Sequence, residues 1–340
     1  MKKKEFLSLI TFDPADKTLF EDLAQKARAL TISRFGRVKS AYIPLYLSNE
    51  CDNTCLYCGF NKSNKFDRKT LSADEISAEL ETIYKKGFKN ILLVSGEKKD
   101  FSNIYYLADA VRIAKNTGFH SISVEVGALD ENLAKTLVDS GAQGFVLYQE
   151  TYNRAVYSSM HISGKKTDYD FRFAGPERAV SAGFRHITLG FLAGLADLVE
   201  EAQALYEHIS YLKKKYWEIE YAISIPRITN AKGINSNFIK VSDKKFAQIL
   251  MAFRIAFPDM PILMSTRESE IFRTGMTDIC VSSLSIASKT CPGGYSNDNK
   301  SELEQFSTTD NRRLEEIVEM LKSKNYDICF KDWQCELNER

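Results

Sequence analysis

The sequence predicts an α/β fold, a TIM-type (β/α)8 barrel, on three observations. Eight short apolar or β-branched runs recur along the 340 residues, nearly every one is followed by an amphipathic stretch, and polar or charged groups stand where seven of the eight runs stop. Strands alternating with helices imply parallel pairing through crossovers. Continuous apolar runs such as Ile91-Leu92-Leu93-Val94 fit a sheet covered on both faces. A barrel gathers all C-terminal strand ends into one mouth. An open doubly wound sheet is the alternative on pattern alone.

The strands are expected at 41–48 (AYIPLYLS), 90–95, 121–126, 144–149, 186–193, 218–225, 261–265 and 279–285. Between them, 74–87 places Ile76, Leu80, Ile83 and Tyr84 on one helical face before a glycine stop. Helices are also expected over 197–216, 244–257 and 311–324. The opening, with EDLAQKARALTISRFG at 21–36, reads as a helical extension that caps or flanks the barrel. The expected organisation is a helical extension over 1–38, the barrel over 39–310, and a C-terminal helix and tail over 311–340.

Composition excludes several classes. Net charge is +1, from 46 basic and 45 acidic residues, with no polybasic block or acidic tail, so neither nucleic acid nor a membrane surface is expected as partner. The opening MKKKEFLSLITF breaks at Asp13 and Pro14 without a signal-peptide cleavage site. No apolar run reaches a membrane span. Seven cysteines, odd in number and clustered, fit a reducing cytoplasm better than a disulfide framework.

Barrel chemistry belongs at the strand ends. After the first run stand Cys51, Cys55 and Cys58; after the second, Ser95-Gly96-Glu97; Glu125 closes the third, and Gln149-Glu150 the fourth. Arg227 follows the sixth, Ser265-Thr266-Arg267-Glu268 the seventh, and Ser285 to Thr290 the eighth. Three thiolates can hold zinc or an iron–sulfur cluster. Structural zinc takes four protein ligands and catalytic zinc three plus water, whereas three cysteines without a local fourth suit a 4Fe-4S cluster with one iron left open. Cys280, Cys291, Cys329 and Cys335 form no second close pair and read as core or surface thiols. The Gly293-Gly294 pair after Pro292 reads as a tight turn.

The spacing Cys51-x3-Cys55-x2-Cys58, with Tyr57 before the last cysteine, resembles the radical S-adenosylmethionine (SAM) superfamily. The stretch YIPLYLSNECDNTCLYCGFNKSNKFDRKTL (42–71), together with LLVSGE, LYQETYN, SIPRI, LMSTRES, SKTCPGGYSNDNKSELEQFS and Lys331-Asp332-Trp333, resembles the thiamine-pathway tyrosine lyases, the 2-iminoacetate synthase (ThiH-type) family. The similarity runs in order from about residue 27 to 334. Two departures stand out: EVGAL at 125–129 where the family usually reads EVQPL, and Gln334 where it has aspartate. The part before Leu30 is also shorter than in many relatives.

The resemblance implies a radical SAM barrel with two cofactors, a 4Fe-4S cluster on Cys51, Cys55 and Cys58, and SAM chelating the open iron. Electron transfer into the sulfonium would give methionine and a 5′-deoxyadenosyl radical. Hydrogen abstraction from the amino group of L-tyrosine, then Cα–Cβ scission, would give 2-iminoacetate and p-cresol. By the same resemblance Tyr57, Gly96, Glu97, Glu125 and Glu150 line the SAM site, and Arg172 meets its carboxylate. A tyrosine substrate would need its own carboxylate clamp, expected at Arg267 with Ser285 or Ser288 assisting and Arg227 as the second candidate. His161 either handles a proton at the phenol or is a solvent-facing loop residue. The implied partners are a flavodoxin- or ferredoxin-type electron donor and a thiazole synthase.

The competing readings are a tryptophan lyase of the same fold and, outside enzymes, a metal-cluster scaffold. A biotin-synthase-type relative would yield no p-cresol. The maturase that makes carbon monoxide and cyanide from tyrosine carries a further C-terminal cysteine domain, which a chain ending at Arg340 is not expected to hold.

Overall fold

The computed structural model describes residues 1–98, 104–234, 237–296 and 304–331. Asp332, Trp333, Gln334 and Cys335 lie outside the described residues, as does 297–303 of the SKTCPGGYSNDNKSELEQFS stretch.

Among the described residues ten parallel strands form one sheet: β1 (Val38–Tyr42), β2 (Pro44–Ser48), β3 (Asn90–Ser95), β4 (Ser121–Glu125), β5 (Gly144–Glu150), β6 (His186–Phe191), β7 (Glu220–Ser224), β8 (Ile262–Met264), β9 (Ser283–Ser285) and β10 (Asp327–Cys329). The run 41–48, expected as one strand, is split between β1 and β2. Pro44 has no N–H to give to a ladder, and the chain changes neighbours there. The Tyr42 carbonyl accepts from Ile286 N at 3.1 Å, and the Ile43 carbonyl from Leu92 N at 3.1 Å. β1 therefore pairs with β9 and β2 with β3, so the bent strand closes a wall of eight. β10, which the sequence pattern did not reveal, lies along the other side of β1, with Val38 opposite Asp327, and the Phe330 carbonyl accepts from Lys89 N.

Helices cover the outside. Ala73–Lys85 starts at a capping box between Ser72 and Glu75 and buries Ile76, Leu80 and Ile83. Each such side chain taken from water stabilises the fold by roughly 2 kcal/mol. Leu198–Lys215, Asp243–Ala256 and Leu314–Ser323 match the expected helices within a few residues. The opening helices, Lys3–Thr11 and Lys17–Phe35, flank the barrel: Phe6 is fully buried and stacks on Tyr206 at 4.4 Å, and Lys245 donates to the Ile10 carbonyl at 2.6 Å. No helix among the described residues is long and apolar enough to cross a membrane.

Candidate active site

The cysteine loop leaves β2 at the barrel mouth and is fixed from three directions. Arg68 donates to the carbonyls of Asn49, Phe60, Asn61 and Asn64 at 2.7 to 3.1 Å, holding the loop closed on itself. From the end of β3, the Glu97 carbonyl accepts from Asp52 N at 2.7 Å. Gly96 permits this approach, because a Cβ there would stand 2.4 Å from the Glu50 carbonyl oxygen. On the outer side, 160–163 runs antiparallel to the loop, with Leu56 N on the Met160 carbonyl and Ile162 N on the Thr54 carbonyl.

Cys51, Cys55 and Cys58 make no disulfide and line one cavity of about 70 Å³. Burial pushes all three thiols above their ordinary range, Cys58 to about 11. Neighbouring thiolates raise Cys55 and Cys58 further. Ligation requires the deprotonated form, so a bound cationic centre is what would hold these buried groups as thiolates. Among the described residues no three His, Cys, Asp or Glu side chains are placed to hold a single metal ion. In an iron–sulfur cluster, thiolates are spread over separate irons. The three-thiol set fits that group.

The far wall of this cavity is charged. Glu150 ends β5 at a register shift, with φ at 70°. A non-glycine residue in the left-handed region stores strain and often marks a functional position. Its Oε1 accepts from Lys166 Nζ at 2.6 Å and Arg172 Nη2 at 3.0 Å. Burial alone would raise its carboxyl, but those two cations hold it below the usual carboxylate range. Arg172 also donates Nε to the Tyr148 carbonyl at 2.7 Å and stands 3.7 Å from Glu97. Lys166, which sequence reasoning missed, donates its backbone N–H to Asn53 Oδ1 at 3.0 Å and so ties the network to the cysteine loop.

A larger cavity of about 100 Å³ adjoins the first; Cys58, Glu125, Glu150, Lys166 and Gln305 line both. Among the described residues, the guanidinium of Arg267 has no hydrogen bond or ion pair and lies 3.3 Å from the centre of the Phe306 ring. Ser288, also lining, has a hydroxyl sealed from solvent without a hydrogen-bond partner, and it follows Ala287, another non-glycine residue with positive φ, 48°. Ser285 is already engaged, accepting from Thr266 N at 3.1 Å. The segment carrying Gln305 and Phe306 crosses the mouth: Gln305 N donates to Thr290, its carbonyl accepts from Gly59 N, and Tyr46 donates to its Oε1 at 2.7 Å.

The structure thus gathers Cys51, Cys55, Cys58, Tyr57, Gly96, Glu97, Glu125, Glu150, Arg172, Arg267, Ser285 and Ser288 on two adjoining cavities. His161 is not on either lining and is not solvent-facing: it is buried beneath the cysteine loop. Arg227 is held by Glu268, Nε to Oε2 at 2.7 Å, and by Asp243 at 2.6 Å, which leaves no free fork for a substrate. Cys280 and Cys291 are buried.

Residues 45–209 match the Radical SAM superfamily, and residues 224–327 match the Biotin and Thiamin Synthesis associated domain. The 2-iminoacetate synthases of Salmonella typhimurium and Escherichia coli are each 37% identical over 98% of this chain and 88% of theirs. The chain belongs to the 2-iminoacetate synthase family. Among solved structures, HydG, a maturase of the FeFe-hydrogenase, superposes with a TM-score of 0.94 at 30% identity, over 99% of this chain and 75% of that one. HydG from Carboxydothermus hydrogenoformans gives 0.90 at 34%, over 97% and 76%. Methylornithine synthase shares the fold at 20% identity and a TM-score of 0.80, over 96% and 94%. Membership of this family implies an iron–sulfur cluster and SAM, and the thiol-lined cavity is where the first would sit.

Proposed function

We propose that this chain is a radical SAM carbon–carbon lyase that cleaves the Cα–Cβ bond of L-tyrosine, giving 2-iminoacetate for the thiazole of thiamine and p-cresol. The observation that carries this is the pair of adjoining cavities: three free thiols line one, and an arginine with no anionic partner among the described residues lines the other. The full-length likeness to 2-iminoacetate synthases supports the choice of substrate.

Cys51, Cys55 and Cys58 hold a 4Fe-4S cluster, and Glu97, Glu150 and Arg172, with Tyr57 and Gly96, shape the adjoining place for SAM. When bound, cluster and SAM supply the one-electron, hydrogen-abstracting chemistry, while the protein supplies orientation and shelter. Arg267 grips the tyrosine carboxylate in the bidentate manner that suits a guanidinium, and the orphan hydroxyl of Ser288 donates to the same group. Phe306, packed on Arg267, and Tyr46, tied to Gln305, close the mouth over the substrate and exclude water. A flavodoxin- or ferredoxin-type donor supplies electrons, and a thiazole synthase takes a product as easily hydrolysed as an imine; both belong to the cytoplasm.

The test is anaerobic reconstitution with iron and sulfide, then reduction with SAM and either L-tyrosine or L-tryptophan. Chromatography is expected to show p-cresol, with 5′-deoxyadenosine, from tyrosine alone. Turnover of tryptophan in its place, or iron uptake without SAM cleavage, overturns the proposal.

A further inference from the structure

Glu125 is the one charged lining residue of the larger cavity whose role the clamp at Arg267 leaves open. It ends β4 and lies on the wall common to both cavities. The other charged groups beside it are committed: Lys166 and Arg172 both bind Glu150. Among the described residues the carboxylate of Glu125 takes part in no hydrogen bond or ion pair. A carboxylate set in a cavity wall without a partner is costly, and the cost is met when a cation arrives.

Topology says where that cation would come from. Around the closed wall, β4 and β8 are separated by three strands in either direction, counting β1 and β2 as one. Glu125 at the end of β4 and Arg267 just past β8 therefore line the same cavity from opposite sides of the barrel. A carboxylate opposite a guanidinium, with Ser288 beside the guanidinium, is complementary to a zwitterion: carboxylate toward Arg267, ammonium toward Glu125.

We propose that Glu125 binds the α-ammonium group of the amino acid substrate and thereby sets the requirement for a free amino group. This deepens the tyrosine-lyase reading and rests on it. It gives Glu125 a different task from the contact with SAM that the family resemblance implies. Burial and the nearby Glu150 push the Glu125 carboxyl up to about 7, while Arg267, Lys166 and Arg172 pull it the other way. Placed against that carboxylate, the nitrogen that loses hydrogen in the reaction lies on the wall shared with the thiol-lined cavity.

The test uses reconstituted holoenzyme with SAM and no reductant, so that binding is read without turnover. Wild-type protein is expected to bind L-tyrosine at least tenfold more tightly than 3-(4-hydroxyphenyl)propanoate, which lacks the amino group. In E125Q that preference is expected to vanish while SAM affinity is retained; E125D, which keeps the charge with a shorter reach, is expected to keep part of it. Arg267→Ala is expected to keep the preference for the amino group and lose discrimination against tyramine, which lacks the carboxylate. If E125Q still prefers tyrosine by the wild-type factor, or if its loss falls on SAM affinity alone, Glu125 does not hold the ammonium. A wild-type protein without the preference also overturns the assignment. The formation of p-cresol by wild-type enzyme is a separate readout, so failure of the lyase reading and failure of this inference are told apart.

Discussion

The phenol of Tyr57 is 2.8 Å from Nε2 of His161, whose Nδ1 lies 2.7 Å from the Tyr157 carbonyl oxygen. A carbonyl only accepts, so Nδ1 carries the proton, Nε2 accepts, and the Tyr57 hydroxyl donates. Burial depresses the imidazole to about 3, so it is neutral at any working pH. His161 is thus a strut between the cysteine loop and the segment that covers it, and it is the local geometry that argues against a proton-transfer role.

His161→Ala should therefore act on the cluster and not on the chemical step. It leaves the Tyr57 hydroxyl buried without an acceptor, which costs about 1–3 kcal/mol. Iron per chain after reconstitution is expected to fall, while p-cresol formed per intact cluster stays near wild type. A full iron load with the rate cut a hundredfold would return His161 to the reaction itself.

Glu150→Gln tests whether the charged wall is built before any cofactor arrives. Glu150 is 8% exposed, and Lys166 and Arg172 both bind it. Removing one partner of a buried ion pair costs about 3–5 kcal/mol, because the remaining charge stays behind uncompensated. Urea unfolding of the cluster-free protein is expected to show a loss of that order. Unchanged stability, with weaker SAM binding only, would mean that the wall forms around the cofactor.

Arg267→Ala removes the guanidinium without breaking any hydrogen bond or ion pair among the described residues. Hydrogen bonds to a charged group contribute about 1.5–3 kcal/mol, so the tyrosine requirement should rise roughly ten- to a hundredfold. Uncoupled cleavage of SAM to 5′-deoxyadenosine should persist. Steady-state p-cresol release against tyrosine concentration checks the first, and product analysis without tyrosine the second.

Much of this site was legible because barrel chemistry sits where apolar runs stop. Glu97, Glu125, Glu150, Arg267 and Ser288 each stand at or just past the end of such a run, and the topology turns those stops into one mouth. The residues that escaped lie away from strand ends. Lys166 sits in a short 3-10 turn, Lys165–Thr167, with its backbone held by Asn53 and its ammonium by Glu150. Gln305 and Phe306 come twenty residues after β9, in a segment with no periodicity to read. His161 looked like a solvent-facing residue because MHISGKK is polar; its burial depends on pairing with a loop over a hundred residues away. β10 is three residues, Asp-Ile-Cys, too short for any alternation to show.

His208 gives the fold a pH dependence that can be isolated. Its ring is buried, stacks on Phe173 at 4.4 Å, and shares a hydrogen bond with the Tyr152 hydroxyl at 3.0 Å. Burial lowers it from 6.5 to about 4. Between those values the unfolded chain takes up a proton that the native ring refuses, so stability is greatest above pH 6.5 and falls as pH drops toward 4. The full contribution is about 3 kcal/mol, at 1.36 kcal/mol per pKa unit. Urea unfolding at pH 7 and pH 4.5 should show a smaller acid-induced loss in His208→Gln than in wild type. Parallel losses would mean that other groups carry the dependence.

Gly127 stands at the glutamine position of the EVQPL pattern that the resemblance implies, and the geometry gives the exchange a consequence. Its φ is 85°, and a Cβ there would lie 2.3 Å from the Glu97 carboxylate. The absence of a side chain thus lets Glu97 fold against β4's exit and stand 3.7 Å from Arg172. Gly127→Gln restores the family residue but strains the backbone by about 1–2 kcal/mol and drives Glu97 off its seat. Because the clashing atoms end a flexible side chain, the barrel should fold, with a modest loss in urea unfolding. SAM affinity of the reconstituted protein, read by equilibrium dialysis without reductant, is expected to fall at least severalfold. Tyrosine binding through Arg267 should change little, since that residue lies across the mouth. Undiminished SAM affinity would show that Glu97 does not need its place against Gly127, and that the exchange of glutamine for glycine leaves the cofactor pocket unaltered.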